Sequence, residues 1–358
     1  MTRVVLDMMD RRPIWAMPPW VSNELRAALP PEWELVVIPT PTDGSGDGAG
    51  RLDGLVIEAV RDADAYFGYG IPEALLEAGP RLRWVHTGAA GVAKSLTPSM
   101  LASPIVFTNS AGVHAPPMAE TVLAMILYFG RGLDFAVEGL RRAEWWSAPY
   151  YEADAPLREL QGSTVGIVGY GGIGREVARR VAGLGARVLA LSRRPRRPDD
   201  QGLTPVQGGG SLEEHVTHVH GRGGLERLLD ESDAVVLSAP ETPETRGLLG
   251  ARELSLMRPG ALLVNVARGR LADEAALVRA LTEGRLRGAG LDVFVEEPLP
   301  AGHSLWTLPN VILTPHVSAV TRGFWRRETD LILANLGRFL AGAPANEWQN
   351  VVDKRAGY

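Results

Sequence analysis

The sequence predicts an α/β fold built on a doubly wound parallel sheet, and three observations carry that expectation. Short apolar runs alternate with helical patterns along most of the chain, as strands covered by helices on both faces do. One such run, Val165 to Val168, leads into Gly169-Tyr170-Gly171-Gly172-Ile173-Gly174, where Gly169, Gly171 and Gly174 stand at G-x-G-x-x-G spacing. A helical pattern from Arg175 to Leu184, with Val177, Val181 and Leu184 on one side, and a second strand-like run, Arg187 to Leu191, complete a βαβ unit. In such a unit the first glycine allows a tight turn, the second lets a pyrophosphate approach the backbone, and the third lets helix pack closely on strand. The phosphates then sit at the positive end of the helix, so the turn implies a dinucleotide ligand.

Size and composition fit this picture. A chain of 358 residues is long enough for two domains with full cores, and 45% hydrophobic with 22% charged residues is ordinary for a soluble globular protein. A formal net charge of -5 gives no electrostatic reason to expect nucleic acid or an anionic membrane as partner. With no cysteine, disulfides and thiolate metal sites are excluded. Met1 to Asp7 enters a strand-like run without the features of a signal peptide, and a cytoplasmic location is expected.

The first hundred residues place strands at Val4 to Leu6, Leu35 to Ile38, Ala65 to Phe67, Trp84 to His86 and Ile105 to Phe107, with helices at Val21 to Leu29 and Glu73 to Glu77. Pro39 to Gly50, rich in Pro, Gly and Asp, reads as a loop. After Trp84 the turn Gly88-Ala89-Ala90-Gly91-Val92 puts small residues at a strand's carboxyl end, where backbone N–H groups can hold a carboxylate. Asn109 to Pro117 reads as a loop, followed by a long helix over Met118 to Leu133. Glu120 and Arg131 leave that helix too short to span a bilayer, so it reads as a buried helix between domains. Trp145, Trp146, Tyr150 and Tyr151 crowd a polar stretch, as core filler or residues at an interface do, and the interface is the expected reading.

Pro195 to Gly224 is an irregular excursion containing His215, His218 and His220. Without a nearby Cys or an H-E-x-x-H frame these histidines do not predict a metal site. The βα rhythm resumes with a helix at Leu225 to Leu229 and a strand at Ala234 to Leu237. A helix near Leu254, a strand at Ala261 to Asn265 and a helix at Asp273 to Thr282 follow, then strands at Gly290 to Phe294 and Val311 to Thr314. Arg268, Glu297 and His316 fall just beyond the carboxyl ends of three of these strands, which in a doubly wound sheet converge on one crevice. An arginine can pair a carboxylate in a fork and polarise its neighbouring carbonyl. A histidine can pass a proton near neutral pH, and a carboxylate beside it favours the protonated form. Beside a nicotinamide, the three suit hydride transfer at a 2-keto acid.

These stretches carry a family resemblance. Val168 to Gly174, Pro240 to Thr245, Asn265 to Gly269, Leu291 to Pro298 and Leu313 to His316 resemble, in order, the motifs of the D-isomer-specific 2-hydroxyacid dehydrogenases. The resemblance covers essentially the whole chain. It implies a Rossmann cofactor domain (residues 118–317, with a dimerisation arm near 133–155) inserted into a smaller, discontinuous flavodoxin-like substrate domain (residues 1–117 and 318–358). A cleft between the domains would close over substrate. It also implies roles: Arg268 for the substrate, Glu297 as partner carboxylate, His316 as acid/base, and Ala90 and Gly91 as carboxylate-binding N–H groups. Gly169, Gly171, Gly172, Ile173 and Gly174 would hold the cofactor, Asp292 its carboxamide, and Ala239, Val266 and Ala267 would line it. The implied assembly is a homodimer.

One departure bears on the cofactor. NAD-preferring sites end the second strand with an acid for the ribose hydroxyls, whereas here the strand ends Leu191-Ser192-Arg193-Arg194. Ser192, Arg193 and Arg194 suit a 2′-phosphate, so NADP is the expected cofactor and NAD the lesser one. The expected activity is reduction of a small 2-keto acid, such as glyoxylate or hydroxypyruvate, to its D-2-hydroxy acid. Formate dehydrogenases pair the histidine with glutamine, and Glu297 argues against that branch. A nucleotide-sensing binding protein on the same fold is the rival from another class, and turnover of any keto acid separates the two.

Overall fold

The chain folds as two compact units in a computed structural model that describes residues 2–42, 52–193 and 212–357. Most of the expected Pro39 to Gly50 loop, much of the Pro195 to Gly224 excursion and Arg194 lie outside the described residues. The units are Met1–His114 with Val320–Tyr358, and Ala115–Ala319.

The first unit holds a five-stranded parallel sheet of β1 (Arg3–Asp7), β2 (Glu34–Val37), β3 (Ala65–Gly68), β4 (Trp84–Thr87) and β5 (Val106–Asn109). Its order, β2-β1-β3-β4-β5, is the flavodoxin-like one. Because side chains alternate across a strand, Val4, Leu6, Phe67 and Trp84 pack on one face with the Phe324–Leu340 helix. Val5, Tyr66, Val85 and Phe107 pack on the other. Burial on both faces explains why these strands read as continuous apolar runs.

The second unit holds seven parallel strands: β6 (Thr164–Val168), β7 (Arg187–Leu191), β8 (Val216–Val219), β9 (Ala234–Leu237), β10 (Ala261–Asn265), β11 (Leu286–Leu291) and β12 (Val311–Leu313). In the order β12-β11-β10-β9-β6-β7-β8 the winding reverses between β6 and β9. A doubly wound sheet opens its binding crevice at that reversal, beyond the carboxyl ends.

Several elements differ from expectation for local reasons. The long helix runs Ala115–Gly130, not from Met118 to Leu133, and takes Pro116 and Pro117 into its first turn, where a missing N–H costs no hydrogen bond. It lies within the second unit. Gly132, at φ +66°, then redirects the chain into a further helix, Leu133–Arg142. β11 begins at Leu286 rather than Gly290 because Gly288 and Gly290 belong to it. A Cβ on either would lie 2.7 to 2.9 Å from Met125 or Phe129, so their bareness lets the Ala115–Gly130 helix lie on the strand. The helix expected from Leu225 begins at Gly221.

The aromatic stretch divides in two. Trp146 packs edge-on to Phe135 beneath the Arg142 guanidinium, and the Tyr150 hydroxyl donates to the Gly132 carbonyl at 2.6 Å. Trp145 is 98% exposed and Tyr151 is exposed as well, so packing within the unit accounts for only half the cluster. Among the described residues no helix is long and apolar enough to cross a membrane.

Candidate active site

The turn after β6 shows three glycines present for three reasons. Gly169 takes φ +99°, and a Cβ there would sit 2.5 Å from the Ala239 nitrogen. A Cβ on Gly174 would sit 2.2 Å from the Gly169 oxygen, so the helix Gly172–Gly183 could not close on the strand. At Gly171 a Cβ would meet nothing within 4 Å. That open side is where a pyrophosphate can approach, facing the unbonded first-turn N–H groups of Gly172 and Ile173. The cradle therefore fits a dinucleotide. Ala239, Val266 and Ala267 are buried at the ends of β9 and β10, giving the crevice an apolar floor.

At the end of β7, Ser192 is half-buried and Arg193 exposed. The Ser192 carbonyl accepts from His220 Nδ1 at 3.0 Å. The Glu244 carboxyl is held below its usual range, mainly by the Thr242 hydroxyl, with the Arg193 charge adding to the effect. His218 lies in β8 with its ring edge-on to Tyr170. Among the described residues no group of three or more His, Asp or Glu side chains could hold a metal ion.

Arg268, Glu297 and His316 lie in the loops that follow β10, β11 and β12, and short contacts link those loops. His316 Nδ1 donates to Glu297 Oε2 at 2.7 Å, while Glu297 Oε1 accepts the Phe294 N–H at 2.9 Å. A carboxylate only accepts, so Nδ1 carries a proton and Nε2 is left without a protein partner among the described residues. His316 takes φ +55°, a left-handed conformation uncommon outside glycine and held here by its loop. The loop of Arg268 lies directly against that of Glu297, since a Cβ on Gly269 would fall 2.0 Å from the Phe294 carbonyl carbon. Arg268 is exposed, and its guanidinium meets only the Ala267 carbonyl, at 2.7 Å. No carboxylate neutralises it among the described residues.

In the other unit, the turn after β4 leaves the N–H groups of Ala90 and Gly91 without an acceptor among the described residues, and Ala90 is exposed.

Residues 123–318 match the family model described as "D-isomer specific 2-hydroxyacid dehydrogenase, NAD binding domain". The chain belongs to this family. A glyoxylate reductase of Thermococcus gammatolerans is 38% identical over 295 residues, covering 80% of this chain and 83% of the relative. A glycerate dehydrogenase of Methylorubrum extorquens is 33% identical over 277 residues, covering 76% and 80%. Among solved structures, an NADPH-dependent glyoxylate/hydroxypyruvate reductase from Sinorhizobium meliloti, in complex with NADP and sulfate, is 26% identical. It superposes with a TM-score of 0.74 over 100% of both chains. The protein is an NAD(P)-dependent D-2-hydroxyacid dehydrogenase.

In this dehydrogenase the structure gives Asp292 a further task beside the one the resemblance implies, and gives one to Ser238, which the motifs left unexplained. Asp292, wholly buried, accepts from the Thr314 hydroxyl at 2.6 Å and from the N–H groups of Val317 at 2.9 Å and Ser318 at 3.0 Å, and also from the Ser318 hydroxyl. Those four bonds fill a carboxylate's acceptor sites and fasten the loop that carries His316. A carboxamide contact at Asp292 would have to displace one of them. Ser238 Oγ donates to the Gly169 carbonyl at 2.7 Å and braces the glycine turn from β9. Neither partner set is local, so no spacing announces it.

Proposed function

We propose that the enzyme reduces a small 2-keto acid, of the size of glyoxylate or hydroxypyruvate, to the D-2-hydroxy acid with NADPH as preferred donor. The observation that carries the reading is the His316–Glu297 pair, with Nε2 left without a partner among the described residues, and the Glu297 loop lying against that of Arg268, which no carboxylate neutralises among the described residues. In this reading Arg268 and the N–H groups of Ala90 and Gly91 take the substrate carboxylate, and Arg268 polarises the carbonyl. When bound, the nicotinamide supplies the hydride. His316 delivers a proton from Nε2 to the carbonyl oxygen, and Glu297 orients the ring and offsets the charge of its protonated form. Gly169, Gly171, Gly172, Ile173 and Gly174 cradle the pyrophosphate, above the floor made by Ala239, Val266 and Ala267. Ser192 and Arg193, with Arg194, receive the 2′-phosphate. The names of the relatives, two of them reductases of glyoxylate, agree with a short substrate. The exposed Trp145 and Tyr151 suit burial between two copies of the chain, in a homodimer.

A panel of 2-keto acids assayed with both nucleotides tests the proposal. Glyoxylate or hydroxypyruvate should give the highest kcat/KM, and NADPH should exceed NADH by about tenfold, or about 1.4 kcal/mol. A preference for NADH, or for a branched keto acid, would overturn the corresponding half.

A further inference from the structure

Beside the Thr87–Gly91 turn lies a polar cluster for which the reaction as described has no use. Glu328, from the Phe324–Leu340 helix, is wholly buried, and so are His86, Thr108 and Ser110. A carboxylate taken out of water is costly unless its oxygens find donors. Here both do: His86 Nε2 donates to Oε1 at 2.8 Å and Ser110 Oγ donates to Oε2 at 2.7 Å. The other imidazole nitrogen meets Thr108 Oγ1 at 2.9 Å, and Trp84 Nε1 donates to that same hydroxyl.

Three contacts carry the cluster to the turn. Ser110 Oγ stands 3.0 Å from the Thr87 carbonyl oxygen, and the Ser110 N–H donates to the Ala89 carbonyl at 3.1 Å. Asn109 Nδ2 donates to the Ala90 carbonyl at 2.9 Å. In a trans peptide the C=O and N–H point in opposite directions. Holding the Ala89 carbonyl toward Ser110 therefore aims the Ala90 N–H away from β5, and holding the Ala90 carbonyl toward Asn109 does the same for the Gly91 N–H. These are the two N–H groups without an acceptor among the described residues.

We infer that Glu328 and Ser110 are positioning residues for substrate capture. Glu328 anchors Ser110 by its hydroxyl, and the Ser110 N–H, with the Asn109 side-chain amide, fixes the peptide planes whose Ala90 and Gly91 N–H groups receive the carboxylate of the keto acid. The inference rests on the reading of that turn given under Proposed function.

A misaimed carboxylate site weakens binding more than it slows chemistry, so the effect belongs in KM. Ser110→Ala should raise KM for glyoxylate about tenfold, with kcat within about twofold and KM for NADPH unchanged, and Ser110→Thr, which keeps the hydroxyl, should recover most of the loss. Thr108→Val removes a neighbouring hydroxyl of the same cluster without touching the turn. It should lower the melting temperature and leave KM for glyoxylate alone. An equal rise of KM in Thr108→Val and Ser110→Ala would mean general loosening and would overturn the inference, as would an unchanged KM in Ser110→Ala. Should Ser110→Ala not fold, the isosteric Glu328→Gln carries the same test. A separate measurement isolates the underlying reading: oxalate added to wild-type enzyme with NADP should slow amide hydrogen exchange across the Gly88 to Val92 turn. No slowing would remove the turn from substrate binding, whereas slowing with an unchanged KM in the variants would remove only Glu328 and Ser110.

Discussion

Two histidine–glutamate pairs of almost equal length stand in opposite surroundings. His316 and Glu297 meet at 2.7 Å with side chains 48% and 36% exposed, whereas His86 and Glu328 meet at 2.8 Å with both at 0%. His316 spends one nitrogen on its glutamate and leaves the other without a partner among the described residues; His86 has both engaged, by Glu328 and Thr108. A third pair, His303 with Glu274, also uses both nitrogens, one of them accepting the Leu305 N–H. The difference teaches that the pair itself does not make an acid–base centre. On the proposed function, the imidazole that keeps one nitrogen without a partner among the described residues is the one that moves a proton, and the fully bonded imidazole is a structural strut.

The largest effect that could break this contrast is on stability. His86→Ala should leave Glu328 buried with one oxygen unpaired and should cost about 3–5 kcal/mol of folding free energy, read by urea unfolding. The corresponding change at the exposed pair, His316→Ala, should cost less than about 1 kcal/mol of stability. A small loss at His86 would put the two pairs in one class and end the comparison.

Activity should show the reverse order. His316→Ala is expected to lower kcat by about 10²-fold or more with nucleotide binding retained, because proton delivery is lost while the glycine turn is untouched. Near-normal turnover, with binding followed by nicotinamide fluorescence, would remove His316 from the chemistry. Glu297→Gln should be milder, about tenfold in kcat. The amide cannot accept from both His316 Nδ1 and the Phe294 N–H, so one of the two bonds that orient the ring is lost. An effect as large as that of His316→Ala would mean that Glu297 takes part in the proton transfer itself.

The same contrast explains what the sequence made legible. Arg268, Glu297 and His316 each follow an apolar run closely, so a doubly wound reading brings them to one edge without any knowledge of packing. The glycine turn is equally local. His86, by contrast, finds its partner 242 positions away on a helix, and nothing near either residue signals the other. Asp292 is singled out in the sequence only by the family resemblance, as a partner for the carboxamide, and its bonds to the loop around His316 appear only in three dimensions. Element boundaries failed where glycine or proline did unusual work, as with Pro116 and Pro117 inside a helix start and Gly288 and Gly290 inside a strand. Trp145 and Trp146 are neighbours in sequence with different fates, because only Trp146 folds back onto the Leu133–Arg142 helix, against Phe135 and Arg142.

The smallest expected effect concerns a third kind of buried acid, one that lacks a full set of donors. Asp7, at the end of β1, accepts from the Tyr66 hydroxyl at 2.7 Å through Oδ2, while Oδ1 has no hydrogen-bond partner among the described residues. Its burial pushes the Asp7 carboxyl up; the Tyr66 hydrogen bond works against that rise, and the Asp53 charge adds to it. Tyr66 is itself pushed far up, first by burial and then by the Asp7 charge, so it stays a neutral donor. With the folded-state value raised, the fold favours the protonated acid. Its contribution to stability is complete below the ordinary carboxylate range, about pH 4, and is lost as pH climbs through the raised value. Asp7→Asn is permanently neutral and escapes that loss. The variant should therefore gain on the wild type as pH rises, by about 1 kcal/mol at most, with a larger difference in urea-unfolding free energy at pH 8 than at pH 5. A difference independent of pH, or one that shrinks toward pH 8, would show that the unfilled acceptor site costs the ionised Asp7 nothing, and the distinction between filled and unfilled acceptor sites would fail.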